Sequence, residues 1–182
     1  MDQHTLRNGV LKTALSLAWI LCLLLFAPAR ADEYQDAIAK AFPGFQILNP
    51  SEFNTEIQGT VKGNPGLITG RFNDDDLDDF AAIIRENPIR PREQGGRRYY
   101  LGKRVICHGS GTGQYRCQVL SQMPIFLPYG TYVSRVSPGK VQCNGEAAVT
   151  IKRDAVGFES SNVAVAYIYQ PGGSYRKCVT AD

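Results

Sequence analysis

The sequence is poor in the residues that build metal centres and in surplus charge of either sign. It contains two histidines, His4 and His108, and five cysteines, Cys22, Cys107, Cys117, Cys143 and Cys178. A structural zinc site gathers cysteines and histidines at short spacing. The wide spacing of these cysteines does not supply that pattern. The formal net charge is +3 over 182 residues. Setting aside residues 1–31, with Arg7, Lys12, Arg30 and Asp2, leaves 17 basic and 16 acidic side chains. That balance makes no case for nucleic acid as a partner. No long internal repeat is visible. The N-terminal apolar run, "ALSLAWILCLLLFA" at residues 14–27, falls short of the roughly 20 residues a spanning helix requires.

That run has the layout of an export signal. Arg7 and Lys12 precede it, and "PARAD" follows, with Ala29 and Ala31 in the small-x-small arrangement that predicts cleavage after Ala31. Cys22 belongs to the apolar core of this segment, because the residues before it, Ile20 and Leu21, are too large for a lipidation site. The expected mature chain is a single domain at residues 32–182, periplasmic or secreted, with no membrane span after cleavage.

Four cysteines remain in that domain, and an even count in an exported chain predicts two disulfides. Sequence alone allows three pairings. Cys107 and Cys117 flank the Gly-rich "HGSGTGQYR" between two strand-like runs. A hairpin there would bring them together, and Cys143 would then pair with Cys178.

The expected fold class is α+β and β-rich: a short N-terminal helix plus an antiparallel, hairpin-rich sheet, stapled by disulfides. "DEYQDAIAKAF" carries Tyr34, Ala37, Ile38 and Ala41 at helical spacing, and Pro43 and Gly44 end it. "FQIL" reads as a first strand, and residues 49–66 as a loop with at most one weak strand. "GLITGRF" and "DFAAIIR" are apolar runs. "ENPIRPREQGGRR" reads as a polar, mobile connection. Beyond it, "YYLGKRVICH", "YRCQVLSQM", "AAVTIKR", "AVGFES", "NVAVAYIYQ" and "SYRKCVT" are strand candidates separated by turn residues. Residues 163–170 are apolar on both alternating sides, which predicts a central strand.

The most distinctive stretch is "TGRFNDDDLDDFAAII", residues 69–84. Calcium takes six to eight oxygens, and a loop can offer them from alternate residues. Counting from Arg71, the candidate ligands are the side chains of Asn73, Asp75 and Asp79 and the carbonyl of Leu77. A register starting at Asp74 suits an EF-hand less well, because it lacks the glycine at loop position six and places Arg85 where the bidentate Glu belongs.

Gly70, Phe72, Asn73, Asp75, Leu77, Asp78, Asp79, Phe80 and Ala81 give this stretch a pattern that resembles the FG-GAP repeat of integrin-like propellers and of small single-copy secreted bacterial proteins. The resemblance implies a calcium loop between two strands. It departs from the family at Arg71, where the first aspartate ligand belongs, and at Asp74 and Asp76, which replace glycines. Arg71 therefore suggests a rival to weakly bound calcium, in which its guanidinium substitutes for the ion and pairs with Asp75 or Asp79. The tail, with its Pro171–Gly173 turn and terminal Asp182, is similar to the end of such proteins.

Two other stretches bear on function. "CHGSGTGQ" sets His108 beside Ser110, but it lacks the G-x-S-x-G elbow of a nucleophile and the helix start of a phosphate cradle. It reads as a hairpin loop. "RENPIRPREQGGRRYY" carries Arg85, Arg90, Arg92, Arg97 and Arg98 beside Tyr99 and Tyr100, a candidate contact for an anionic partner. Adjacent exposed carboxylates have no reason to split their pKa values, so an enzyme is not expected. The expected function is an exported cell-envelope binding module with an envelope protein or glycan as partner. The alternative is a proteinaceous inhibitor of an exported hydrolase such as lysozyme.

Overall fold

The computed structural model describes residues 29–180 apart from Thr112 and Asn162. The signal-peptide reading falls largely on residues outside this range. The chain divides into two units, Met1–Asp36 and Ala37–Asp182. The boundary lies within helix α1, Ala29–Ala41, which runs across the expected cleavage point. All the strands belong to the second unit.

Twelve strands follow the helix among the described residues: β1 (Phe45–Ile47), β2 (Leu67–Gly70), β3 (Asp79–Glu86), β4 (Arg92–Gln94), β5 (Arg97–Gly109), β6 (Tyr115–Ile125), β7 (Thr131–Val136), β8 (Gly139–Val141), β9 (Val149–Ile151), β10 (Ala155–Ser160), β11 (Ala164–Gln170) and β12 (Ser174–Thr180). Every pairing between them is antiparallel. The protein is thus α+β and β-rich, as the sequence predicts. In place of one sheet it has a six-stranded sheet (β1–β6), a four-stranded sheet in the order β12-β11-β10-β7, and the two-stranded β8-β9.

β3 organises the first sheet. Its sequence, DFAAIIRE, is buried at every position but the last, as expected of a strand covered on both faces. One edge takes β2 at Asp79–Ala82 and β1 at Ile84–Glu86; the other takes β5. Arg85, placed by sequence with the exposed arginines, is buried instead. Its Nε lies 2.5 Å from Oε1 of Glu52, whose other oxygen accepts the Asn49 N–H at 2.8 Å. This pairing makes Arg85 a structural residue. Residues 49–66, expected as loop, hold a 3-10 turn at Pro50–Glu52 and the short helix α2, Thr55–Thr60, capped by Asn54 Oδ1 on the Ile57 N–H at 2.9 Å.

The two larger sheets share one apolar cluster. Ala81, Ile83, Ile106 and Ile125 of the first meet Val133, Val156, Phe158, Val165 and Tyr167 of the second, with Leu48, Phe53, Ile57 and Phe72 filling between them. β11 is interior to its sheet. Val165 and Tyr167 enter this cluster, while Ala166 and Ile168 enter a second one with Val141, Ile151, Cys143 and Cys178. Each large aliphatic or aromatic side chain so buried contributes about 1.5–3 kcal/mol.

Both disulfides form. Cys107 and Cys117 sit directly opposite each other in the β5–β6 ladder, Cα atoms 3.9 Å apart. Cys143–Cys178 ties the segment after β8 to β12. The stretch expected as a mobile connection forms the hairpin β4–β5. Its turn is Gly95–Gly96, with φ of 57° and 74°. Two positive φ values are what a two-residue hairpin turn matching strand twist demands, and glycine meets them without strain.

Candidate functional site

The aspartate stretch is the turn between β2 and β3, which pair with each other. Within it, Asn73 and Asp75 build the local structure. Asn73 Oδ1 accepts the Asp75 N–H at 3.0 Å, and Asp75 Oδ1 accepts the Leu77 N–H at 2.9 Å. Asn73 Nδ2 donates to Asp75 Oδ2 at 2.7 Å. These are Asx-type turns, in which a short polar side chain replaces a backbone acceptor.

Asp79 serves different partners. Its side chain is fully buried. Oδ2 accepts the Phe72 N–H at 2.8 Å, and Oδ1 accepts the Gly109 N–H at 3.1 Å. The carboxylate thereby ties the start of β3 to the end of β5. Gly109 makes this approach possible: a Cβ there would stand 2.5 Å from the carbonyl oxygen of Asp78.

Arg71 is exposed, and among the described residues its one ion-pair partner is Asp76, at 3.8 Å. It does not pair with Asp75 or Asp79. The arginine that closes the turn is Arg153, from the segment between β9 and β10. Its Nη1 donates to the Asp75 carbonyl at 3.0 Å and to Asp76 Oδ1 at 3.2 Å, and its Nη2 to the Asp74 carbonyl at 3.3 Å. This donor set does not fit a calcium ion, which needs oxygens free to converge on one point. Asp79 is buried with both oxygens held by backbone N–H groups, the Asn73 and Asp75 side chains are turned toward each other, and a guanidinium lies over two of the turn's carbonyls, so the oxygens serve separate partners instead of one centre. Among the described residues, no three His, Cys, Asp or Glu side chains gather to hold a metal.

His108 belongs to this site, not to an isolated hairpin loop. Its Nδ1 lies 3.2 Å from Asp79 Oδ2, within ion-pair distance but out of line for a hydrogen bond. Its Nε2 lies 3.2 Å from the Tyr175 hydroxyl, which is also 2.9 Å from the Phe72 carbonyl. The two rings stack nearly parallel, 8° apart. Tyr175 holds its proton well above the usual phenol range. Burial is the main cause, and the negative charge of Asp79 adds to it.

Beside this network opens a cavity of about 570 Å³. Asn73, Asp75, His108, Arg116, Gln118 and Tyr169 line it. Sequence reasoning did not single out Arg116, Gln118, Arg153, Tyr169 or Tyr175. No local motif marks them, and they come to the turn from β6, from the segment before β10, and from β11 and β12.

The second candidate region is the β4–β5 hairpin. Arg90, Arg92, Arg97 and Arg98 are all exposed. Register places Arg92 opposite Tyr99 and Gln94 opposite Arg97, so these four share a face. On it Arg97 stands 4.6 Å from the centroid of the Phe126 ring, and Tyr99 packs on the same ring at 6.0 Å. Arg92 pairs with Glu86 at 2.9 Å.

No protein-family model, curated protein or solved structure matches this chain.

Proposed function

We propose that the protein is an exported binding module of the cell envelope, in which a degenerate FG-GAP-type turn is a structural staple and the arginine hairpin binds an acidic protein partner. The observation that carries this reading is the seating of Arg97 on Phe126 beside Tyr99. A guanidinium stacked on a ring keeps its in-plane N–H donors free for carboxylates. Arginine and tyrosine are also the residues enriched at protein interfaces. β4 pairs only with β5 among the described strands, so its outer edge adds backbone donors and acceptors to the same surface. Two disulfides suit an oxidising compartment outside the cytoplasm, and no described helix is long and apolar enough to cross a membrane.

Inhibition of an exported hydrolase is the weaker reading. The aspartates that would enter a basic cleft are partly neutralised by Arg153 and Arg71.

The test is capture from an envelope extract on the immobilised, disulfide-intact protein, in parallel with an R97E/R98E variant. The expected result is an acidic protein retained by the wild type, released by about 0.5 M salt as screening shortens to a few ångströms, and absent from the variant. Equal retention by both proteins sinks the hairpin as the contact surface.

A further inference from the structure

The cavity beside the aspartate turn contains two opposite charges that do not meet. Asp75 lines it from the turn and Arg116 from β6. Neither takes part in an ion pair among the described residues. Asp75 is held in place by Asn73 and by its own bond to the Leu77 N–H, and Arg153 fastens the turn beneath it. Arg116 is fixed by the ladder opposite His108. The two side chains stand on separate supports, and each retains unused bonding capacity. The Asp75 oxygens each accept one neutral N–H, which leaves further lone pairs. The guanidinium of Arg116 and the amide of Gln118 beside it have no side-chain hydrogen bond among the described residues.

A ligand that satisfies both walls must itself carry two opposite charges at a distance. An ammonium group fits the carboxylate of Asp75, and a carboxylate fits the planar fork of Arg116. Gln118 offers both a donor and an acceptor, the complement of a peptide group. Tyr169, whose ring meets that of His108 edge-on at 6.3 Å, supplies an apolar wall. The volume is in the range of small-ligand sites, about 300–1,000 Å³. It leaves room for more than one residue of extended chain, at about 3.3–3.6 Å per residue.

We propose that this cavity binds a di- or tripeptide with free ends, its amino terminus at Asp75 and its carboxylate on Arg116. The site lies at the far end of β5 from the arginine hairpin and goes beyond the reading given to that surface.

The test is a calorimetric titration of the purified, disulfide-intact protein with trialanine, N-acetyl-trialanine and trialanine amide. Free trialanine is expected to bind at least about tenfold more tightly than either blocked form, the factor that about 1.4 kcal/mol of lost interaction produces. Arg116→Gln, an exposed strand position, is expected to remove the preference for the free acid over the amide and to keep the preference for the free amine. Any of three results overturns the proposal: no binding of trialanine up to about 10 mM, the mark of an interaction weaker than about 3 kcal/mol; equal binding of all three peptides; or an R116Q variant that still distinguishes acid from amide. Heat from a neutral disaccharide with none from trialanine would assign the cavity to a glycan and overturn it equally.

Discussion

Arg153 closes the aspartate turn on Asp76: the guanidinium lies 3.2 Å from the Asp76 carboxylate while it also holds the carbonyls of Asp74 and Asp75. A side chain more than seventy positions away in sequence thus ties down three oxygens of the turn. Arg153→Gln is expected to destabilise the protein by about 1–2 kcal/mol, the value of charge-assisted hydrogen bonds discounted for partial exposure. Arg71→Gln, at a long exposed contact, should stay within about 0.5 kcal/mol. Urea titration of both variants measures the difference. With the guanidinium in place, the wild-type melting temperature should be the same in millimolar calcium and in chelator, and scanning calorimetry checks this directly.

Asp79 and Gly109 act as one joint between β3 and β5. Asp79→Ala leaves the Phe72 N–H and the Gly109 N–H without their acceptor, at a cost of about 2–4 kcal/mol for two orphaned donors. Gly109→Ala drives a methyl against the Asp78 carbonyl, where a Cβ would stand 2.5 Å away. Overpacking of this kind costs about 1–3 kcal/mol. The two effects should not add in the double variant, because both break the same joint. Chemical denaturation of the two single variants and the double variant tests this.

The raised pKa of Tyr175 gives the fold an alkaline limit. The group is protonated in the native state at pH values where an unfolded tyrosine, with a pKa near 10, has lost its proton. Above that pH the unfolded chain binds fewer protons than the native one, so this group's contribution falls as pH rises. The contribution is fully present below about pH 10, the ordinary tyrosine range. Tyr175→Phe should therefore flatten the loss of stability above that pH, while costing about 1 kcal/mol at neutrality through the lost hydroxyl bonds. Denaturation midpoints at a series of pH values, for wild type and variant, decide the matter.

The disulfides close loops of different length, with sequence separations of 10 for Cys107–Cys117 and 35 for Cys143–Cys178. Chain-entropy arithmetic puts their contributions at about 3 and about 4 kcal/mol respectively. Paired Cys→Ser variants should rank in that order by thermal denaturation under non-reducing conditions.

How much of this was legible in the sequence depended on burial. β3 and β11 announce themselves because both of their faces are covered, so apolar residues run without interruption. Cys107–Cys117 was legible because a Gly-rich loop between two strand-like runs is a local signal. The turn end of the β4–β5 hairpin gave no such signal: residues 92–98 are polar and exposed, so alternation is absent there and only Gly95–Gly96 marks the turn. Helix α2 is too short to show a period and buries Ile57 alone. The aspartate turn was visible, but its closing arginine was not. Arg71 stood nearby in sequence, whereas the fold delivers Arg153 from the β9–β10 connection, His108 from the end of β5 and Tyr175 from the start of β12, and only tertiary pairing brings those together.

The shared edge of β3 has a practical consequence. Because β1 and β2 occupy successive stretches of that edge, they act as one broken strand, and residues 48–66 form a detour between its halves. At the outer part of that detour Gly63 has open surroundings and a φ of 90°. Lengthening a loop costs only about 0.6 kcal/mol per doubling. A fluorophore or affinity peptide inserted after Gly63 would fall outside every paired strand, which makes this position the natural handle for watching the protein engage a partner.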